Sequence, residues 1–480
     1  MTISEFESYL QKGLGRAILL LREEADKEPF REAVWNHALH EPRYDGQCNE
    51  PRGHYIKELF DCFPDGDAML SELFRFYGEG KGDPQDRWYY IDNVFDLASE
   101  RVEGAEASLD SLYHTLLEEL LTLSNPLTDG RDRERDSYLF AAKRRYRLHR
   151  AALDELVRDG IALLQKSERY DITFFTDFFD NDIRTSKTEE FQAILTSLEN
   201  EDPTYNAIIE DYRKESEEVP KRWGPPKEDT FVKPTNWREA IDYAIQKGQP
   251  KIPVNKSLWQ NLSEEDRAEI ARLVEKELDP ERRFALLWQL YHYGEELLRQ
   301  YPRDPLPLIA ELESNTHITF PYTSENQLLW IISRVVAKIN HPAVREFALR
   351  SLPHYAGKHN SISFNCTVEA LINNFQPEDS DTLAAFVTSV TDSDMLHAIG
   401  VDIIYPAINP LIPESVLLYL YENEPCSSCR NRVFLSLMAR YGDMTNLPEP
   451  LASIRKEAQL DCDYGTRLIA RGQSIRKGEV

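Results

Sequence analysis

The sequence predicts an all-α chain: an α-solenoid of stacked antiparallel helix pairs, interrupted by a proline-rich connector. Three observations predict it. Apolar residues recur at helical spacing along most of the 480 residues, and β-type alternation is rare. One helix-start pattern, Pro–x–x–Arg followed by apolar residues, recurs along the chain. Near the middle, Pro220, Pro225, Pro226 and Pro234 fall within sixteen residues, a density incompatible with helix.

The helical period is clearest from Ser263 to Val274. Ser263 suits an N-cap, and Asp266 three residues on resembles the acidic member of a capping box. Ile270, Leu273 and Val274 then form one apolar stripe.

The repeat has four copies. They begin at Asp83-Pro84 with Arg87, at Asp279-Pro280 with Arg283, at His341-Pro342 with Arg345, and, more loosely, at Ser427 with Arg430. Apolar residues follow each Arg at three, four and seven positions: Leu286, Leu287 and Leu290 in the second copy, Val433, Phe434 and Leu437 in the fourth. Pro fits the first helical turn, where its missing N–H has no intrahelical partner. The residue before it can accept from the exposed N–H groups of that turn. In three copies a Tyr and a Gly follow (Tyr293-Gly294, Tyr355 with Gly357, Tyr441-Gly442), and Gly suits a left-handed helix end. The Arg is expected to make a packing or hydrogen-bond contact within the array.

This pattern resembles the second helix of HEAT-like repeats, which pair antiparallel helices into a curved α-solenoid. The 85 residues from Arg345 to Arg430 match two such repeats of about 40–47 residues each. The 62 from Arg283 to Arg345 do not, which points to a loop insertion around Tyr301–Pro307 or another register. Arg43 to Gln47 with Arg52 and Tyr55, and Cys426–Arg430 with Asp461-Cys462-Asp463, resemble segments of uncharacterised bacterial HEAT-like proteins. That resemblance implies a scaffold and no particular activity.

Three segments are expected: an irregular helical-repeat segment over 1–218, a connector over 219–235, and a HEAT-like segment over 236–480. Trp223 and Phe231 suggest a connector that packs rather than swings freely.

Composition bounds the function. The 41% hydrophobic content supports a large core despite 29% charged residues. A net charge of −27 opposes generic affinity for nucleic acid, which depends on neutralising phosphates. Six cysteines are too few for a disulfide scaffold. The N-terminus lacks a secretory pattern, and the longest early apolar run, Ala17–Leu21, is far too short to span a bilayer. A cytoplasmic protein without a membrane role and without a cofactor is expected.

Candidate chemistry is sparse. Cys426 and Cys429 form a CxxC pair at an expected helix start, able to chelate zinc or to cycle between dithiol and disulfide. Cys462 is the candidate third ligand, and no fourth is evident beyond His397 and Cys366 as possibilities. The basic run holds Lys143, Arg144, Arg147 and Arg150 on or beside the outer face of a helix whose buried stripe is Leu139, Ala142, Tyr146, Leu153 and Val157. Those cations could contact phosphate or a partner, or neutralise nearby carboxylates such as Asp154 and Glu155. Asp177–Asp182 lacks the glycine and closing Glu of a calcium loop. His37 and His40 lack an HExxH context, and Gly13-Leu14-Gly15-Arg16 lacks the third glycine of a dinucleotide fingerprint.

The reading that follows is a non-catalytic scaffold holding a protein partner on a concave helical face. Two alternatives stand beside it. One is a nucleic-acid-binding or DNA-glycosylase-like HEAT protein using the basic run with Trp35 and Trp88. The other is a metal- or redox-responsive helical module using Cys426, Cys429 and Cys462.

Overall fold

The helix starts read from the sequence form as local physics requires. In a computed structural model of the chain, Pro84, Pro280 and Pro342 each open a helix. Asp279 caps the second of these by accepting from the backbone N–H groups of Glu281 and Arg282. Ser263 accepts from Asp266 N at 3.1 Å, and its own hydroxyl donates to the Asp266 carboxylate at 2.6 Å. The structure describes residues 2–40, 42, 44, 52–95, 104–123, 132–148, 153–167, 188–211, 213–214, 234–247, 256–277, 279–318, 326–358, 366–404, 411–441 and 446–473. All regular structure among them is helical, in 25 α-helices with short 3-10 and π turns and no strand. Most of the connector, and the whole of Asp177–Asp182, lie outside the described residues.

The chain forms two units, Met1–Asp229 with Pro448–Val480, and Thr230–Leu447. This corrects one expectation. Residues 236–480 do not form a single segment, because the last 33 residues group with the N-terminal unit.

In the N-terminal unit, helices α1 (Ile3–Lys12), α2 (Gly15–Glu23), α3 (Arg31–Leu39), α4 (Gly53–Phe60) and α5 (Gly66–Gly78) lead through α6 (Pro84–Tyr89) to α7 (Ala105–Thr122), α8 (Asp132–Leu148), α9 (Leu153–Lys166) and α10 (Thr188–Glu201). A π turn over Tyr90–Val94 extends α6 and buries Tyr90, Ile91, Val94 and Phe95, the stripe expected of the first repeat copy. One apolar core runs from Phe6 to Ile209.

The second unit holds α11 (Trp237–Gln246), α12 (Ser257–Gln260), α13 (Glu264–Lys276), α14 (Pro280–Tyr293), α15 (Glu295–Arg299), α16 (Leu306–Ser314), α17 (Gln327–Lys338), α18 (Pro342–Lys358), α19 (Thr367–Asn373), α20 (Ser380–Ser389), α21 (Ser393–Ile404), α22 (Glu414–Asn423) and α23 (Ser427–Ala439). Six of them, α11, α14, α17, α19, α21 and α23, pack each on the next. Against this row lie α13 on α14, α16 on α17, α18 on α19, and α22 on α23. Helices α24 (Leu451–Ala458) and α25 (Tyr464–Ala470) return to the N-terminal unit, where α24 packs on α2.

The repeat arginines have a shared position, four residues after the N-cap, and three share one task. Arg87 donates to the carbonyls of Gly80 and Gly82, just after α5. Arg283 donates to Val274 O in the last turn of α13 at 2.8 Å, and Arg430 to Glu424 O after α22 at 3.4 Å. The last carbonyls of a helix lack intrahelical partners and carry partial negative charge, so a guanidinium folded back from the next helix satisfies both. Arg345 differs: it grips the Asp379 carboxylate through Nε at 2.9 Å and Nη2 at 2.6 Å. Arg467 in α25 is a further case, donating to Asp461 O and Cys462 O at 2.7 Å each.

Arg283 also binds Glu311 through both terminal nitrogens, at 3.1 and 2.7 Å, and is buried. Arg283→Met is therefore expected to lose about 1–3 kcal/mol, the cost of leaving the buried Val274 carbonyl unmet and half-buried Glu311 unpaired. Arg283→Lys cannot reproduce the fork and should recover little of it. A shift in the urea midpoint measures both.

The glycine expectation needs correction. Gly294 has φ −93°, outside the left-handed region. A Cβ there would instead lie 3.0 Å from Leu290 O, a tight approach to main chain. Gly357 sits inside α18 before that helix ends, and Gly442 lies outside the described residues. Left-handed helix ends fall elsewhere, at Gly13 (φ 69°) after α1, Gly80 (φ 71°) after α5 and Gly472 (φ 74°) after α25.

Candidate functional site

Two groups of buried polar residues stand out in the second unit, and both sit on the row of stacked helices. The first is built on the CxxC pair. Cys426 is the N-cap of α23 and Cys429 lies in its first turn, so the i, i+3 spacing puts both thiols on one side of the helix. Both are buried free cysteines. Helix α21 packs on α23 and brings His397 to them. The ligand atoms of His397, Cys426 and Cys429 all lie within 4.8 Å of one another.

Glu424, wholly buried, organises this group. It follows α22, and its Oε1 accepts from Cys426 N at 3.2 Å and meets His397 Nδ1 at 2.7 Å. A carboxylate oxygen accepts, which assigns the hydrogen to Nδ1 and the lone pair to Nε2. Its Oε2 is buried with no hydrogen-bond partner among the described residues. Two thiols and an imidazole in this arrangement form a set suited to a soft or borderline divalent cation.

The expected third ligand, Cys462, is not part of this group. It belongs to the N-terminal unit, where its N–H donates to Gly13 O at 2.9 Å and its thiol approaches Lys12 O. His397 takes the third position, and nothing local in the sequence marks it. The Glu two residues before the first Cys was the available signal for Glu424, since a side chain at that spacing can reach the N–H of the cap.

Cys366 lies in the second group, and burial pushes its thiol up to about 12. Arg334 from α17 pairs with Glu369 from α19 at 3.1 Å and donates to Tyr291 Oη at 3.3 Å. Asp402 from α21 is buried beside them, pushed up to about 8 by burial and by the Glu369 charge, with Arg334 opposing. Burial also raises Glu369, again against Arg334. Nearby, Lys338 donates to Tyr291 O at 2.9 Å and sits over the Tyr291 ring, and Trp288 lies 6.0 Å from Trp330 between ring centroids. Sequence reasoning missed this cluster. Its signal was an acid inside an apolar run: Glu369 within Val368–Ile372, Asp402 before Ile403 and Ile404.

The basic run divides. The stripe of Leu139, Ala142, Tyr146, Leu153 and Val157 is buried. Arg145 is buried with it, pairing with Asp110 and with Glu155 at 2.7 Å and lying over the Tyr113 ring. Lys143 and Arg144 are half-buried. Arg150 and the side chain of Arg147 lie outside the described residues, as does that of Trp88. Arg145 is thus committed to carboxylates of its own unit. His37 is buried, edge-on to Tyr55, while His40 meets Asp86 at 2.9 Å, so the two make no joint site.

No described helix is long and apolar enough to cross a membrane. Compared with known proteins, the chain matches no family model, no curated protein and no solved structure.

Proposed function

We propose that this protein is a non-catalytic scaffold, a HEAT-like α-solenoid whose second unit holds a protein partner on a concave helical face. One observation carries the reading: six helices pack each on the next, with a second set of helices against them. Stacked helix pairs of this kind make extended surfaces suited to partner binding. On α14 and α17 that row gathers half-buried Trp288, Tyr291, Trp330, Arg334 and Lys338. Trp, Tyr and Arg are the residue types that dominate interface energetics.

The test places a photo-crosslinking residue at Trp330 and, as a control, at exposed Leu306 on α16. A recurrent protein partner captured from the native host at position 330 and not at 306 is expected. Trp330→Ala should then weaken the purified pair about 30-fold, the effect of removing a hot spot worth ~2 kcal/mol. Absence of any recurrent partner, together with a measured turnover, would overturn the reading.

A further inference from the structure

We propose that His397, Cys426 and Cys429 bind one zinc ion, with Glu424 as the carboxylate that holds His397 in place. The proposal goes beyond the scaffold reading and does not depend on it.

Geometry is the first ground. Zn–S bonds of about 2.3 Å and Zn–N bonds of about 2.0 Å place tetrahedral ligands about 3.5–3.8 Å apart. The three ligand atoms already lie within 4.8 Å of one another, so small side-chain rotations close the site. Helix α23 supplies two ligands from one rigid turn, and α21 is fixed against it by packing.

The second ground is Glu424. A metal-bound imidazole ordinarily donates its other ring N–H to a carboxylate or carbonyl, which fixes the tautomer and raises the ligand's basicity. His397 Nδ1 meets Glu424 Oε1 at 2.7 Å, so the metal would take Nε2. Glu424 Oε2 has no hydrogen-bond partner among the described residues, although the side chain is wholly buried. A buried carboxylate is costly unless a positive charge compensates it. A metal-bound imidazole is a more polarised donor than a free one, and its hydrogen bond to Glu424 offsets part of that cost. Gly400 leaves the room: a Cβ there would lie 2.3 Å from Glu424 Oε2.

Zinc is favoured over a dithiol–disulfide couple by burial. Cys426 and Cys429 are 2% and 6% exposed, whereas thiol–disulfide exchange needs an attacking thiolate to reach the sulfur. Two thiols and one imidazole select zinc over magnesium or calcium, which take oxygen ligands. On binding, each thiol gives up its proton to solvent and both electron pairs go to the metal. Two thiolates balance the dication, and the fourth position is left to water or an incoming group.

The full chain, purified without chelator and reconstituted with zinc, is expected to carry close to one equivalent by elemental analysis. Loaded with cobalt(II) instead, it should show tetrahedral d–d bands and thiolate-to-cobalt charge transfer. Cys429→Ser and His397→Ala should each lose the stoichiometric metal, and Cys462→Ser should keep it. Glu424→Gln should retain the cobalt spectrum at saturation but bind zinc about 10–100-fold more weakly. Should Cys429→Ser fail to fold, half-buried His397→Ala carries the same comparison. Metal well below one equivalent after reconstitution, or a cobalt spectrum unchanged by His397→Ala, overturns the proposal. A disulfide between Cys426 and Cys429 with no metal uptake after reduction overturns it in favour of the redox pair.

Discussion

Removal of residues 448–480 is expected to unfold the N-terminal unit while leaving the second unit folded. Helices α24 and α25 bury Leu451, Ile454, Leu468 and Ile469. At about 1.5–3 kcal/mol for each large apolar side chain, their loss amounts to on the order of 6–12 kcal/mol. A folded domain has only about 5–15 kcal/mol in total. Polar contacts go with them. Arg16 Nε loses Glu457 at 2.8 Å, and Gly13 O loses its bond from Cys462 N. Hydrogen exchange read by mass spectrometry separates the units. Protection should collapse in α1, α2 and α4 and persist in α14, α17 and α19. Unchanged protection in α1 and α2 would show that the C-terminal helices are an accessory to that core. A finer version keeps the chain whole. A Cβ on Gly15 would lie 2.0 Å from Glu457 O and 2.8 Å from the Leu460 carbonyl carbon, and main chain cannot step aside as a flexible side chain can. Gly15→Ala is expected to cost about 3 kcal/mol, at the upper end of overpacking effects, and to do so only in the full-length chain.

Arg334→Met is expected to destabilise the second unit by about 3–5 kcal/mol at pH 8, the cost of removing one partner from a buried ionic group. The Glu369 and Asp402 carboxylates would then face each other with no guanidinium between the helices that carry them. The cost depends on pH. In the native chain Asp402 titrates at about 8, above its ordinary value of 3.8. Between those values the folded state holds the extra proton, so stability falls as pH rises, and the contribution is gone above about 8. Arg334 lowers the pKa of both acids. Its removal therefore widens the window in which they stay protonated, and the penalty at pH 5 should shrink to about 1–2 kcal/mol, that of lost hydrogen bonds. Asp402→Asn should do the reverse, flattening the native fall in stability between pH 5 and 8. Urea titrations at pH 5, 6.5 and 8 measure all three proteins. An Arg334→Met penalty independent of pH, or an Asp402→Asn profile as steep as the native one, would remove Asp402 from the cluster's energetics.

Much of the second unit was legible because its signals are local. Asp279-Pro280 begins a helix wherever it sits, since the cap and the fixed φ act within one turn. Leu286, Leu287 and Leu290 define an apolar face that has to be covered by something. Even the repeated Arg reports a nearby event, because the carbonyls reached by Arg87, Arg283 and Arg430 end the preceding helix only five to nine residues back. The glycine expectation failed at Gly294 because two causes write the same letter: a left-handed helix end and a close approach of Leu290.

What the sequence alone determined is the helical class, where helices start and which faces are apolar. Tertiary structure alone decided which distant elements meet. It brought 448–480 back to Gly13 and Gly15, put Cys462 there rather than with the CxxC pair, and set His397 beside Cys426 and Cys429. It also assembled Arg334, Glu369 and Asp402 from three helices. The physical reason is one of range. Capping and helical periodicity act across a turn and leave a repeated pattern in one sequence. Packing between helices is chosen by the fit of whole faces across tens to hundreds of residues, and a single His, Glu or Gly at such a meeting point carries no local mark of its partner.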